Sequence, residues 1–328
     1  MLLKPLCMQM LRRHVKPWTA RQRSVLATCI RRSLPSEYPF LFLVSYSDDR
    51  RRRIRALRLA AAIHLLQTST FVVDDVLDGG ERRYSLPSVQ SRFGVPTAVA
   101  SGLVLHSVAL TSFYEVAREM RLRDTGDAVG ALLRIIEGVY RGQWLDVQPV
   151  RAKDASLIRY KLIIDHTTSN FLGGVARCGA VLGQRAKTEV AALESFGRLY
   201  GRALQVVDDI ADIRDQPSDT GKDFATDLRR KRLRLPTLLA LRDGPPNCRR
   251  AIRNYLADGR AAPDKFVALV GKIRSSGAIE TSNQIALRML RDALKAISNI
   301  RDPRTQRELE FMVGSLGIDG GVLDGLGG

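Results

Sequence analysis

Apolar residues in this chain recur at the spacing of a helix and scarcely ever at the spacing of a strand. Ile54, Leu57, Leu59, Ile63 and Leu66, then Phe71, Val72 and Val76, fall mostly three or four apart. That period stacks side chains on one helical face, whereas a half-buried strand needs alternation. The expectation is an all-α chain. Breakers at Pro87, Pro96, Asp124 to Gly130, Pro217 to Gly221 and Gly244 to Asn247 cut it into helix-length pieces and leave no interdomain linker. One helical domain is therefore expected over residues 1–313. A Gly-rich, loosely ordered tail is expected over 314–328, which holds seven glycines. The longest unbroken apolar run, Pro39 to Val44, is far shorter than the stretch of about 18 residues that reads as a membrane span.

Charge narrows the partners. Fifty-two basic residues face 34 acidic ones, a net charge of +18. Such a surface attracts anions, whether phosphorylated metabolites, nucleic acid or anionic lipid. Aromatics are only 6% of the chain and no nucleic-acid motif accompanies the charge, so base stacking has little to work with. Nucleic acid is not an expected partner, while a peripheral contact with a membrane stays open. Cys7, Cys29, Cys178 and Cys248 show neither a paired spacing nor a histidine partner. A reducing compartment suits them better than a zinc or disulfide framework.

Chemistry concentrates in two acidic strings. Asp74-Asp75-Val76-Leu77-Asp78 and Asp208-Asp209-Ile210-Ala211-Asp212 each follow an apolar run, and they lie 208 − 74 = 134 positions apart. Each places carboxylates at i, i+1 and i+4. The first and last share a helical face, and the middle one sits about 100° round. Like charges so close raise one another's pKa, and nothing basic lies inside either string to relieve them. A divalent cation would. Oxygen donors favour magnesium, which keeps water in its shell and accepts substrate phosphates to complete it. Glu81-Arg82-Arg83 follows the first string. Gly221-Lys222-Asp223 and Asp227-Leu228-Arg229-Arg230-Lys231-Arg232 follow the second. Beside carboxylates, such cations suit the clamping of a diphosphate.

With these residues the sequence resembles the trans-isoprenyl diphosphate synthases, or polyprenyl synthetase family. The strings that carry the likeness are LRLAAAIHLLQTSTFVVDDVLDGGERRYSLPSVQSRFG, GQWLDV, ARCGAVLG, FGRLYGRALQVVDDIADI, GKDFATDL and LPTLLAL, from about Leu57 to about Ala240. The resemblance implies an all-α, isoprenoid synthase-type helical bundle around a central cavity, with the two motifs facing each other at its mouth. It implies a homodimer, and the reducing compartment that suits the cysteines makes the cytoplasm the expected location. It also implies magnesium, three ions with bound diphosphate, held by Asp74, Asp75, Asp78, Asp208, Asp209 and Asp212. Arg83, Gln205 and Lys222 would contact an allylic prenyl diphosphate. Gln143 and Asp146 would line the cavity. Removal of residues 1–36 as a transit peptide is not expected, although they contain no acid, because the family needs helices there.

The likeness is lopsided. Pro35 and Tyr38 stand where the family has basic residues for the second substrate, isopentenyl diphosphate. Tyr84 replaces the second of two arginines, and His166-Thr167, still expected among the substrate-binding residues, replaces a Lys-Thr pair. Each lost charge-assisted contact is worth roughly 1.5–3 kcal/mol. Arg32 and Arg82 are candidates to compensate, and arginine restored at positions 38 and 84 is expected to raise elongation. Small residues at Ser69 and Thr70 imply a twenty-carbon or longer product. The favoured function is elongation with isopentenyl diphosphate. The alternatives are a class I terpene synthase or a prenyltransferase to another acceptor, using the same ionisation, and a non-catalytic subunit of a heteromeric synthase.

Overall fold

The computed structural model describes residues 3–34, 36–46, 53–84, 86–120, 125–148, 150, 154–214, 225–258 and 262–317. Among the described residues the chain is helical throughout, apart from one two-stranded hairpin. It forms two compact units: Met1–Arg134, Gly174–Glu194 and Ile300–Leu309 in the first, and Ile135–Gly173, Ser195–Asn299 and Glu310–Gly328 in the second. The tail expected over 314–328 begins at the last residue of a helix, Pro303–Gly314, and residues 318–328 lie outside those described.

The first unit is built on α4 (Arg53–Leu77) and α6 (Val95–Glu119), which pack along each other, with α1 (Leu3–His14), α2 (Ala20–Arg32) and α3 (Glu37–Tyr46) around them. A capping box between Thr19 and Gln22 starts α2. From Leu59 to Ser69 every residue of α4 is buried, as befits a helix apolar on all sides and covered on all sides. Both long helices are long and apolar enough to cross a bilayer by length and composition, which a search for unbroken apolar runs passes over. In α4 that apolarity goes mostly into the core. α4 and α6 approach closely at Gly102, where an added Cβ would lie 2.6 Å from Val73 Cγ2. After α9 (Asn170–Leu182), Arg185 donates to the carbonyls of Ser45 and Val44 at 3.0 and 3.2 Å. A buried cation thus satisfies the C-terminal carbonyls of α3.

His64 is sealed into this core, 1% exposed. Its Nε2 lies 2.8 Å from Ser33 Oγ, which itself donates to the Ile30 carbonyl. Nδ1 has no hydrogen-bond partner. Burial pulls the ring's pKa down to about 4 from an ordinary 6.5. The folded value lies below the unfolded one, so the neutral ring's contribution is complete above pH 6.5 and is lost as the pH falls toward 4. At 1.36 kcal/mol per unit, urea denaturation should show up to about 3 kcal/mol of stability lost over that window. His64→Gln should lose less by that amount, and parallel pH profiles for the two proteins would refute the assignment.

Two expectations change here. Tyr38 is 8% exposed within the core, so arginine there would bring a charge into the core, at a cost in stability that the expected gain in elongation did not include. The expected break at Asp124 to Gly130 is not seen over its described part, because α7 (Thr125–Asp146) runs through Gly126 and Gly130; Asp124 lies outside the described residues. Glycine lowers helix propensity by about 1 kcal/mol, and that does not outweigh the packing of a 22-residue helix.

In the second unit, Val206, Ile210 and Ile213 of α10 (Lys187–Arg214) join a core with Leu235, Leu238 and Leu239 of α12 (Leu235–Asp243). Phe266 and Val270 of α14 (Pro263–Arg274) and Ala286 of α15 (Ala278–Ala296) complete it. Between α12 and α13 (Pro246–Asp258) the chain breaks at Gly244, as expected. The expected break at Pro217 to Gly221 lies outside the described residues. α8 (Leu157–Ile164) is capped by Ser156 and continues into one wide turn of π-helix, Asp165–Ser169. Glycines make room for that turn. Added Cβ atoms would lie 2.7 Å from Thr167 Cγ2 at Gly142 and 2.8 Å from the Thr168 carbonyl oxygen at Gly201.

Candidate functional site

The first acidic string closes α4. Asp74 and Asp78 are half-buried, one turn apart, and the Asp78 N–H donates to the Asp74 carbonyl at 2.8 Å. Asp75 points inward, 6% exposed. Gly79, at φ 53°, lets the chain leave the helix. Gln90 Nε2 then ties off the turn, donating to the carbonyls of Asp75 and Gly80 at 2.7 and 2.8 Å. Next comes the hairpin, β1 (Arg82–Arg83) paired with β2 (Leu86–Pro87). Tyr84 sits at its turn with φ 51°, 38% exposed.

Arg83 reaches back from the hairpin. Its Nε and Nη2 lie 2.8 and 2.7 Å from Asp75 Oδ1, Nη2 is 3.7 Å from Asp74 Oδ2, and the guanidinium covers the Phe71 ring. Burial raises the Asp75 pKa, and Arg83 works against that rise. The crowding of carboxylates is therefore relieved in part by a residue outside the string, which the sequence argument did not supply. Arg32 Nη1 donates to the Pro87 carbonyl at 2.8 Å, so Arg32, at the end of α2, reaches the hairpin whose first strand carries Arg82 and Arg83. Of the two small residues before the string, Ser69 packs at Gly102 and Thr70 is half-buried, and both hydroxyls donate to helix carbonyls.

The second string divides in the same way. Asp208 is exposed, whereas Asp209 is 1% exposed. Asp209 Oδ2 accepts from the Tyr160 hydroxyl at 2.6 Å, and Oδ1 accepts from Gln205 Nε2 at 3.0 Å. Burial pushes the Asp209 pKa up to about 7, against the pull of Arg234, Tyr160 and Gln205. Asp212 holds the start of the short helix α11 (Thr226–Arg229). Its Oδ1 accepts from the Thr226 N–H and hydroxyl at 2.9 and 2.8 Å, and Oδ2 accepts from the Asp227 N–H at 3.2 Å. A carboxylate there satisfies the otherwise unpaired N–H groups of a helix start.

The remaining expected residues fall as follows. Gln205 Oε1 accepts from Thr168 Oγ1 at 2.7 Å, which links the second string to the π-helical turn. His166 and Thr167 lie in that turn, beside Gly142 and therefore next to Gln143 in sequence; the Thr167 hydroxyl donates to the Ile163 carbonyl at 2.9 Å. Lys222 lies outside the described residues. Tyr160, Gln90 and Arg234 were not singled out in the sequence. Isolated polar residues leave no periodic signal, and the one available hint was the density of arginines before Leu235-Pro236.

Among the described residues, no three His, Cys, Asp or Glu side chains converge closely enough to hold a metal unaided. The donors are still of the right kind. In the first string Asp74 and Asp78 are half-buried and Asp75 is buried; in the second Asp208 is exposed, Asp209 is buried and Asp212 is half-buried. Few protein oxygens, with water and phosphate completing the shell, is the way magnesium is held in phosphate chemistry.

The comparisons agree with one another. The family pattern described as polyprenyl synthetase matches residues 4–273. A short chain isoprenyl diphosphate synthase of Methanothermobacter thermautotrophicus is 29% identical over 258 residues, covering 78% of each chain. A geranylgeranyl diphosphate synthase of Methanosarcina mazei is 25% identical over 247 residues, 75% of this chain and 74% of that one. Among solved structures, heptaprenyl diphosphate synthase of Staphylococcus aureus superposes with a TM-score of 0.82 at 22% identity, covering 95% of both chains. Geranylgeranyl pyrophosphate synthase of Corynebacterium glutamicum, complexed with isoprenyl diphosphate and magnesium, gives 0.84 at 18% identity, covering 96% of this chain and 97% of that one. At these identities the structural likeness establishes the fold, which is the expected all-α one.

Proposed function

This chain belongs to the polyprenyl synthetase family, and from that premise we propose that it is a magnesium-dependent prenyltransferase. In this reading it ionises an allylic prenyl diphosphate and joins the prenyl group to isopentenyl diphosphate, giving a twenty-carbon or longer product. The observation that carries the reading is the division of labour within each aspartate string. One carboxylate is locked inward by Arg83 or by Tyr160 and Gln205, and exposed or half-buried partners remain beside it.

Magnesium held by Asp74, Asp78, Asp208 and their neighbours, three ions when diphosphate is bound, would supply the positive charge that stabilises the leaving group. Arg83 works against the rise that burial imposes on the Asp75 pKa, and it holds its own charge at the first string. Arg82 in the hairpin and Arg32, which reaches it from α2, support elongation, since they bring cations near the position where Tyr84 replaces one. Thr70 leaves space where a bulky side chain would stop a growing chain. The working form is read as a cytoplasmic homodimer. Val95, Val99, Leu103 and Tyr114 support the dimer, being exposed along one face of α6 and forming a stripe that a second copy would cover.

The test is a product assay with magnesium and farnesyl or geranylgeranyl diphosphate, with and without isopentenyl diphosphate. A longer prenyl diphosphate formed only when both substrates are present is expected. A hydrocarbon or alcohol formed from the allylic substrate alone would replace elongation with terpene synthase chemistry.

A further inference from the structure

Arg234 holds three acids from three separate helices, all within the second unit. Its Nη1 and Nη2 donate to Oδ1 and Oδ2 of Asp146 at 2.7 and 2.8 Å, at the end of α7. Nη2 also donates to Asp227 Oδ1 at 3.1 Å, in α11. Nε has no hydrogen-bond partner and stands 3.9 Å from Oδ1 of Asp209, in α10. Arg234 itself is the N-cap residue of α12, whose first N–H, that of Leu235, approaches Asp209 Oδ2 at 3.4 Å. The Arg234 and Asp146 side chains are only 11% and 9% exposed.

This arrangement is a poor device for stability alone. Burying an ion cluster costs desolvation that its internal attraction only partly returns, and apolar residues of equal size would serve the core as well. What a guanidinium adds is geometry, because its planar fork fixes the direction of each carboxylate it meets. Asp208, the exposed member of the string, is the residue next to Asp209 on the same helix. Whatever sets the rotation of α10 at Asp209 also sets where the Asp208 carboxylate points.

Resting on the function proposed above, we propose that Arg234 is a positioning residue: it locks the second aspartate string from behind and so fixes the geometry in which that string meets magnesium and diphosphate. It touches neither substrate nor metal.

Arg234→Lys tests this, because it keeps the charge and loses the fork. Two readouts are needed: calorimetric binding of magnesium together with inorganic pyrophosphate, and steady-state kinetics with farnesyl diphosphate. Expected are about tenfold weaker magnesium–pyrophosphate binding and an about tenfold lower kcat, the scale on which residues behind metal ligands act. With magnesium saturating, the KM for the allylic substrate should stay within about twofold. A folded variant with unchanged magnesium dependence and kcat would overturn the proposal. So would a raised allylic KM at constant kcat, which would make Arg234 a substrate contact. Should Arg234→Lys not fold, Asp146→Asn, which weakens the same clasp, must give the shift in magnesium dependence, and its absence overturns the proposal equally. Failure of the wild-type protein to bind magnesium with pyrophosphate is a separate result, and it removes the proposed function itself.

Discussion

Asp208→Asn is expected to lower kcat by about 10²–10³-fold while leaving the fold as stable as before. The loss is of the order found when one preorganised electrostatic contact to a developing charge is removed. Stability should hold because Asp208 is exposed beside Asp209 and Asp212, so that neutralising it relieves repulsion instead of stranding a buried charge. Turnover at saturating allylic diphosphate, followed across a magnesium titration, measures the effect, and thermal unfolding supplies the control. Asp209→Asn is a different experiment. Asp209 is buried against Tyr160, Gln205 and the Leu235 N–H, so its loss should appear in stability as well as in rate. If Asp208→Asn kept kcat within a few-fold, the second string would not hold the metal, and the proposed function would lose its main support.

Gly183→Ala is expected to destabilise the protein by about 3 kcal/mol or to prevent folding, through a single methyl group. The Cβ would lie 1.7 Å from the carbonyl oxygen of Tyr46 and 3.0 Å from that of Gly179. Both are backbone atoms, and they have no rotamer to escape into. One turn earlier, a Cβ at Gly179 would meet the Phe42 carbonyl at 2.5 Å. The ends of α3 and α9 therefore touch backbone to backbone, and Arg185 locks the contact by capping α3. Gly271→Ala provides the contrast. That glycine lies within α14 with nothing within 4 Å of the added atom, so helix propensity should dominate and stability rise by about 0.5–1 kcal/mol. Chemical denaturation of the two variants decides the matter, and similar effects from both would show that close backbone approach is not what position 183 protects.

Much of this was legible in the sequence. Spacing of three and four dictated helices, and helices are what form, because local periodicity alone decides which face of a segment is apolar. The strings at Asp74 and Asp208 were visible as dense like charge that needs a counter-ion. What the sequence did not announce were the contacts within the fold. Tyr38, read as standing at a lost binding position, lies in the core. Arg83 and Gln205, expected to contact the diphosphate, each also hold an aspartate of their own string. Arg234 was hinted at only by the run of arginines it ends, since its three partners lie 88, 25 and 7 positions away (234 − 146, 234 − 209 and 234 − 227).

By itself, then, the sequence determined the helical class and the two carboxylate strings that mark this family, since both are written in contiguous residues. Only the tertiary structure decided which aspartates face inward, which arginines neutralise them and where glycine is obligatory. Those outcomes depend on how closely distant segments approach. Approach distance is set by packing between helices, whereas the period within a helix fixes only which side chains share a face.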